Sequence, residues 1–116
     1  MQEKQSENNI HQSIFKWYHN TFCLSFHIQR SLIFSIPNQN HHRLAMVGII
    51  KAGVSDLVVI HRVENKNARI IFVEVKTETG KQSPSQKQFE KHVQSMGLEY
   101  YVIRSLEKFK SIINGK

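Results

Sequence analysis

Apolar positions recur along this chain with two different periods, and each stretch predicts a different element. In residues 6–20, Ile10, Ile14, Trp17 and Tyr18 fall on one face at helical spacing. Ser6 can cap that helix, and Glu7 falls in its first turn, where the helix dipole favours an acid. Ser31-Leu-Ile-Phe-Ser-Ile36 is a short apolar run closed by Pro37-Asn38, the pattern of a strand and a turn. Residues 41–52 fit either a short helix or an ordered loop. Gly53 marks a turn, and Asp56-Leu-Val-Val-Ile-His61 reads as a β-branched strand. Asn65-Lys-Asn67 signals a hairpin-like turn before residues 69–76, where Ile70, Ile71, Phe72 and Val73 form the nearly continuous apolar run of a central strand.

The following boundary carries three helix-start signals together. Ser83 is an N-cap, Pro84 suits the first helical position, and Gln86 completes a capping box. Phe89, Val93 and Met96 form the expected buried stripe, and Gly97 ends the helix. Residues 98–103 predict another strand. Ser105 caps a last helix with Leu106, Phe109, Ile112 and Ile113 facing inward. The order is helix, strand, strand, strand, helix, strand, helix. It describes an α/β fold in which a mixed central sheet is flanked by helices: the middle hairpin is antiparallel, and the helical crossover sets the last strand parallel to its neighbour.

Composition narrows the class. The 116 residues suit a single domain, 1–116, with 40% hydrophobic and 22% charged side chains, a globular balance. Cys23 is the one cysteine, so neither an internal disulfide nor a cysteine-based zinc site is available, and a reducing, intracellular setting is expected. It reads as a small buried apolar residue. The polar start MQEKQSENN is no secretory signal, and no apolar run approaches the ~20 residues of a membrane span. The formal net charge of +7 fits a polyanionic partner such as nucleic acid, and equally a merely soluble small protein. The seven histidines include adjacent His41 and His42, which do not converge easily on one ion, so DNA-backbone or solvent contacts are the expected role.

Chemistry concentrates at the end of the most apolar strand. In Phe72-Val73-Glu74-Val75-Lys76 the side chains alternate, so Glu74 and Lys76 share one face and the valines the other. Burying these charges is unfavourable by several kcal/mol unless they are paired or metal-bound. An isolated E-x-K is more simply a surface salt bridge at a strand end. Asp56, after Gly53-Val54-Ser55, opens the preceding strand, and the hairpin between the two could bring Asp56 beside Glu74. Alone, Asp56 reads as a turn residue. Two convergent carboxylates repel unless a cation holds them, and oxygen ligands suit Mg²⁺ or Mn²⁺. An adjacent lysine can stabilise a phosphate oxygen or a deprotonated water.

Together, Gly53-Val-Ser-Asp56-Leu, Phe-Val-Glu74-Val-Lys76-Thr, Gly80-Lys-Gln-Ser-Pro-Ser-Gln86, Gly97 and Tyr101-Val-Ile-Arg-Ser105 resemble the VRR-NUC (virus-type replication-repair nuclease) domain of the PD-(D/E)xK superfamily. The likeness covers about residues 7–109 and implies a restriction-endonuclease-like core. It implies that Asp56 and Glu74 hold the metal, Mg²⁺ or Mn²⁺, with the Val75 backbone carbonyl as a further ligand. It makes Lys76 the catalytic lysine and places Gln86 in the catalytic set, a role that competes with its capping box. Glu7 matches a first-helix acid that adds to the metal shell, directly or through water; Glu3 lies one turn earlier, and a surface role for Glu7 stays open. Ser55 departs from the family's frequent proline without removing a ligand. Lys81, Lys87 and Lys91 are candidate DNA-backbone contacts or simply a solvated face.

The resemblance implies a Mg/Mn-dependent endodeoxyribonuclease leaving a 5′-phosphate. There is no room for an appended recognition domain, which favours reading of backbone and shape over base sequence. One active site per chain and a two-fold substrate favour a homodimer acting on branched DNA, with four-way (Holliday) junctions the expected substrate. The C-terminal helix and residues 41–50 are candidate dimer faces. Stand-alone domains of this length look like phage proteins, which would place it in the cytoplasm of an infected bacterial host. The alternatives are a non-catalytic nucleic-acid-binding module of the same fold and a less selective DNA endonuclease; a restriction-type enzyme is disfavoured by the missing recognition insert.

Overall fold

In the computed structural model, which describes residues 6–24, 30–36 and 53–115, the chain opens with α1 (Glu7–Tyr18). Ser6 stays extended and its hydroxyl accepts the Asn9 amide at 3.1 Å, so the cap read from the sequence forms. The α-helix is shorter than expected. It passes at His19 into a π-helical turn, His19–Cys23, and this wider turn sets Phe22 against Tyr18 and His61, with ring centroids 5.0 and 4.9 Å apart. Cys23 is half-buried, in partial agreement with its apolar reading. The expected turn at Pro37-Asn38, the undecided segment 41–52 and the His41-His42 pair lie outside the described residues.

Four strands follow, β1 (Leu32–Ser35), β2 (Leu57–His61), β3 (Arg69–Val75) and β4 (Glu99–Ile103), in that spatial order. β1, β2 and β3 are antiparallel in turn, while β4 joins β3 in parallel. The β2–β3 connection turns at Asn65, which adopts φ +60°, a left-handed conformation asparagine tolerates. The β3–β4 crossover is α2 (Pro84–Ser95), and α3 (Leu106–Asn114) ends the described chain. The mixed α/β order is therefore the one the apolar pattern predicts.

Strand alternation divides the sheet into two unequal faces. Leu57, Val59, Ile71, Val73, Val75 and Ile103 turn to one side and form the main core with Ile10, Ile14 and Tyr18 of α1 and Phe109 and Ile113 of α3. The opposite face is covered by α2, whose Phe89 and Val93 pack on Tyr100, Phe72 and Val102 of the β3–β4 half. Ile70, Leu32 and Phe34 lie on the side α2 does not reach, so Ile70 is partly exposed although its strand is central. Met96 does not join the buried stripe and is 55% exposed. It is the C-cap of α2, where the backbone has left helical geometry, and Leu98 packs beside Val93's cluster in its place. Among the described residues no helix is long and apolar enough to cross a membrane.

Candidate functional site

The end of the sheet at which β2 begins and β3 finishes gathers the charged residues. Leu57 pairs with Val73, so continuing the same register sets Asp56 opposite Glu74. Antiparallel neighbours of this kind have Cβ atoms about 5 Å apart. Asp56 is fully buried, and its Oδ2 accepts the Val75 amide at 2.8 Å, fixing the carboxylate across the β2–β3 junction. Ser55, in the position of the family's frequent proline, is buried too and donates its hydroxyl to the Leu57 carbonyl at 3.0 Å. The departure thus leaves the Ser55 hydroxyl itself hydrogen-bonded.

Glu74 is 1% exposed and sits among further polar groups. Its Oε2 receives the Gln86 side-chain amide at 3.1 Å and faces the Lys76 ammonium at 3.7 Å. Its Oε1 is buried with no hydrogen-bond partner. Glu7, half-buried in the first turn of α1, completes a triad: one carboxylate oxygen each from Glu7, Asp56 and Glu74 lie within 4.8 Å of one another. Burial and, after it, the charge of Asp56 push the Glu74 carboxyl up to about 9; Lys76 opposes the rise and Glu7 adds to it. Tyr100, buried under the same carboxylates, is also raised, chiefly by burial and next by the charge of Glu74.

Three converging carboxylates, two of them buried and Glu74 with its Oε1 unbonded, form a donor set suited to a hard divalent cation. Zinc would favour nitrogen or sulfur donors, which the triad lacks. The residues present therefore fit Mg²⁺ or Mn²⁺.

Gln86 forms the expected capping box and also reaches Glu74, the contact a role in the site would need. Its Oε1 accepts the Ser83 amide at 2.8 Å while the Ser83 hydroxyl accepts the Gln86 amide at 3.2 Å, closing the capping box. Because a backbone N–H must meet the carbonyl oxygen, the amide nitrogen is left facing Glu74. Gln86→Ala should therefore cut catalytic turnover about tenfold while lowering stability by about 1 kcal/mol. Gln86→Glu should retain the cap's acceptor but face Glu74 with a second carboxylate. Rates and thermal melts of the two variants, side by side, separate the cap from the site.

The remaining expected residues lie on β3, on α2 and in the loop before α2. Val75 is buried between Asp56 and Lys76, its amide given to Asp56. Lys81 is exposed in the loop before α2, and Lys87 and Lys91 are exposed one turn apart on that helix. Two residues beside the site escaped the sequence reading. His11, one turn after Glu7 on α1, is buried with its Nε2 2.7 Å from the Ser35 hydroxyl; its place four residues from Glu7 was the available signal. Gly53 is expected to mark a turn and opens the Gly53-Val-Ser-Asp56 motif, neither of which predicts a contact with α2. It has φ +82°, and a Cβ there would lie 2.2 Å from the Ser85 carbonyl oxygen, so it also admits the start of α2 to the site.

The model of the VRR-NUC domain matches residues 1–107 of the chain. A solved structure described as a VRR_NUC domain protein superposes with a TM-score of 0.73 at 18% identity, covering 98% of this chain and 89% of its own. A second, described as a VRR_NUC domain, gives a TM-score of 0.61 at 20% identity over 97% of this chain and 100% of its own. At these identities the structural likeness establishes the fold. No curated protein matches the chain.

Proposed function

Because the chain belongs to the VRR-NUC family of nuclease domains, we propose that it is a Mg²⁺- or Mn²⁺-dependent endodeoxyribonuclease that cuts branched DNA, four-way junctions foremost, as a homodimer inside the cell. The observation that carries the reading is the convergence of Glu7, Asp56 and Glu74 within 4.8 Å, with the Lys76 ammonium 3.7 Å from Glu74. Asp56, Glu74 and the Val75 carbonyl would hold the ion, with Glu7 joining directly or through water. When bound, the ion supplies Lewis-acid polarisation of a phosphodiester and a more acidic water.

Each side chain then has a task of its own. Lys76 offers a cation that stabilises negative charge on a phosphate oxygen or on a deprotonated water. Glu74 is held by Gln86, so its second oxygen keeps a fixed direction. Lys81, Lys87 and Lys91 are exposed and suit contacts to the DNA backbone, which set position without reading sequence. The +7 formal charge supports such backbone-led recognition. A four-way junction has two-fold symmetry and needs two cuts, which a dimer with one active site per chain supplies.

The test is cleavage of four-way junction, flap and linear duplex by the wild type and Lys76→Ala, in Mg²⁺, Mn²⁺ or EDTA. Paired, metal-dependent nicks at the junction that drop about 100-fold in the variant are the expected result. Equal cutting of all three substrates would remove the junction preference and leave a less selective endonuclease. Tight DNA binding without any cutting in either metal would instead identify a non-catalytic binding module.

A further inference from the structure

The turn between Lys76 and α2 is built around a side chain that comes from elsewhere in the chain. Residues 77–80 form a tight turn closed by the Gly80 amide on the Thr77 carbonyl at 3.2 Å. The Nη1 group of Arg104 donates to the Thr77, Glu78 and Gly80 carbonyls at 2.6, 3.3 and 2.7 Å. Three carbonyl oxygens therefore point at one guanidinium nitrogen. Their partial negative charges make that cradle selective for a cation with directed donors.

Arg104 is placed there by the sheet. β3 and β4 pair in parallel as far as Val75 and Ile103, and the Lys76 amide donates to the Ile103 carbonyl at 3.0 Å. Strand pairing stops at this point. Lys76 and Arg104 are the next residues in register, so they share the face that also carries Glu74. The Arg104 side chain takes over where the ladder ends, bonding the backbone immediately after Lys76. Without it, the turn after the last strand residue would be left to the Gly80–Thr77 bond, and strand ends held so lightly open easily. The other end of the connection is held separately. Gln82 donates to Glu90 at 3.2 Å and to Tyr100 at 3.3 Å, ahead of the capped start of α2.

We infer that Arg104 is a positioning residue for the nuclease site: its guanidinium pins the 77–80 turn and thereby fixes Lys76 relative to Glu74. It acts through the backbone of the turn and does not touch the substrate. This rests on the nuclease reading above. A small displacement of a reacting group, of the order of 1 Å, is enough to lower turnover about 100-fold. A pinned turn of this kind therefore has a direct effect on rate.

The experiment compares the wild type, Arg104→Ala and Arg104→Lys by three measurements. Amide exchange, read by mass spectrometry on the metal-free proteins, should accelerate in residues 77–80 of Arg104→Ala while exchange in the rest of β3 stays as in the wild type. Turnover on a DNA junction in Mg²⁺ should fall about tenfold or more with DNA affinity held within about twofold. The slope of binding against salt should be unchanged. Arg104→Lys keeps the charge but not the planar fork, so it should restore only part of the rate, and added methylguanidine should raise the rate of Arg104→Ala. A salt slope reduced by about one, with weakened binding and unchanged turnover, would make Arg104 a direct phosphate contact and overturn the inference. Unchanged exchange in the turn would overturn it as well. If the wild type cuts no DNA in either metal, the nuclease reading fails, while the exchange comparison still decides whether Arg104 holds the turn.

Discussion

Glu74→Gln should abolish cleavage, by about 1000-fold, and at the same time make the metal-free protein more stable. These opposite effects share one cause. Glu74 is buried beside Asp56 and near Glu7, so without a cation its ionised form is strongly disfavoured and the folded state binds a proton that the unfolded chain releases. A neutral amide of the same shape has no charge to desolvate, and the gain should be on the order of 1–3 kcal/mol, the scale of a buried polar group left unsatisfied.

The pH dependence has a definite sign. The folded-state value, raised by burial to about 9, lies above the ordinary 4.5, so the stability contributed by the bound proton is fully present below about pH 4.5 and lost as pH rises towards about 9. Stability of the metal-free wild type should therefore decline as pH rises from about 4.5 towards about 9, and Glu74→Gln should flatten that decline. Metal binding displaces the proton, so apparent Mg²⁺ affinity should rise by up to tenfold per pH unit within the same window. Thermal melts from pH 5 to 8.5, in EDTA and in Mg²⁺, test all three statements. A wild-type stability that rises with pH in EDTA would show that Glu74 is ionised in the empty fold.

Gly53→Ala should cost about 2–4 kcal/mol, far more than a surface glycine, and should lower nuclease activity about 100-fold. Two penalties add. The residue has φ +82°, where an L side chain is strained, and the new Cβ would meet backbone atoms of α2, the Ser85 carbonyl oxygen at 2.2 Å and the Gln86 amide nitrogen at 2.9 Å. Backbone cannot swing aside as a lysine tip can, so the first turn of α2 must move. That turn carries the Gln86–Glu74 bond. Gly97→Ala is the matched control. It has nearly the same backbone, φ +78°, with nothing within 4 Å of the added Cβ, so it should cost only about 1 kcal/mol and leave activity intact. Equal losses in the two variants would mean that the contact with α2 plays no part.

Much of the architecture was legible because local signals agreed with one another. The caps at Ser6, Ser83 and Ser105 form as their sequences predict, and the run from Ile70 to Val73 does lie in an inner strand. Misreadings arose where a residue's fate depends on coverage from a distance. Ile70 and Met96 have core-like identities, yet the length and seat of α2 leave both partly exposed. The site divides in the same way. The 56–74 pairing follows from hairpin register, a local rule, whereas the approach of Glu7 depends on how α1 docks on the sheet. Gln86 shows a further limit: its motif predicts the cap, but the approach of its amide nitrogen to Glu74 depends on where α2 docks. The tasks of Gly53 and Arg104 are set by backbone atoms far along the chain, which side-chain patterns do not encode.

The parallel pairing of β3 with β4 also has a consequence for the order of events during synthesis. Every acid of the triad has been translated once residue 74 is made, and Lys76 follows immediately. The strand end that carries Lys76 is completed only by the Ile103 carbonyl and Arg104. A nascent chain therefore contains the acids and lysine of its reactive centre well before it can assemble them. Long-range parallel pairing is also slow to form. If the proposed nuclease reading holds, a chain truncated before β4 should lack activity, and cleavage assays on such a truncation would check it.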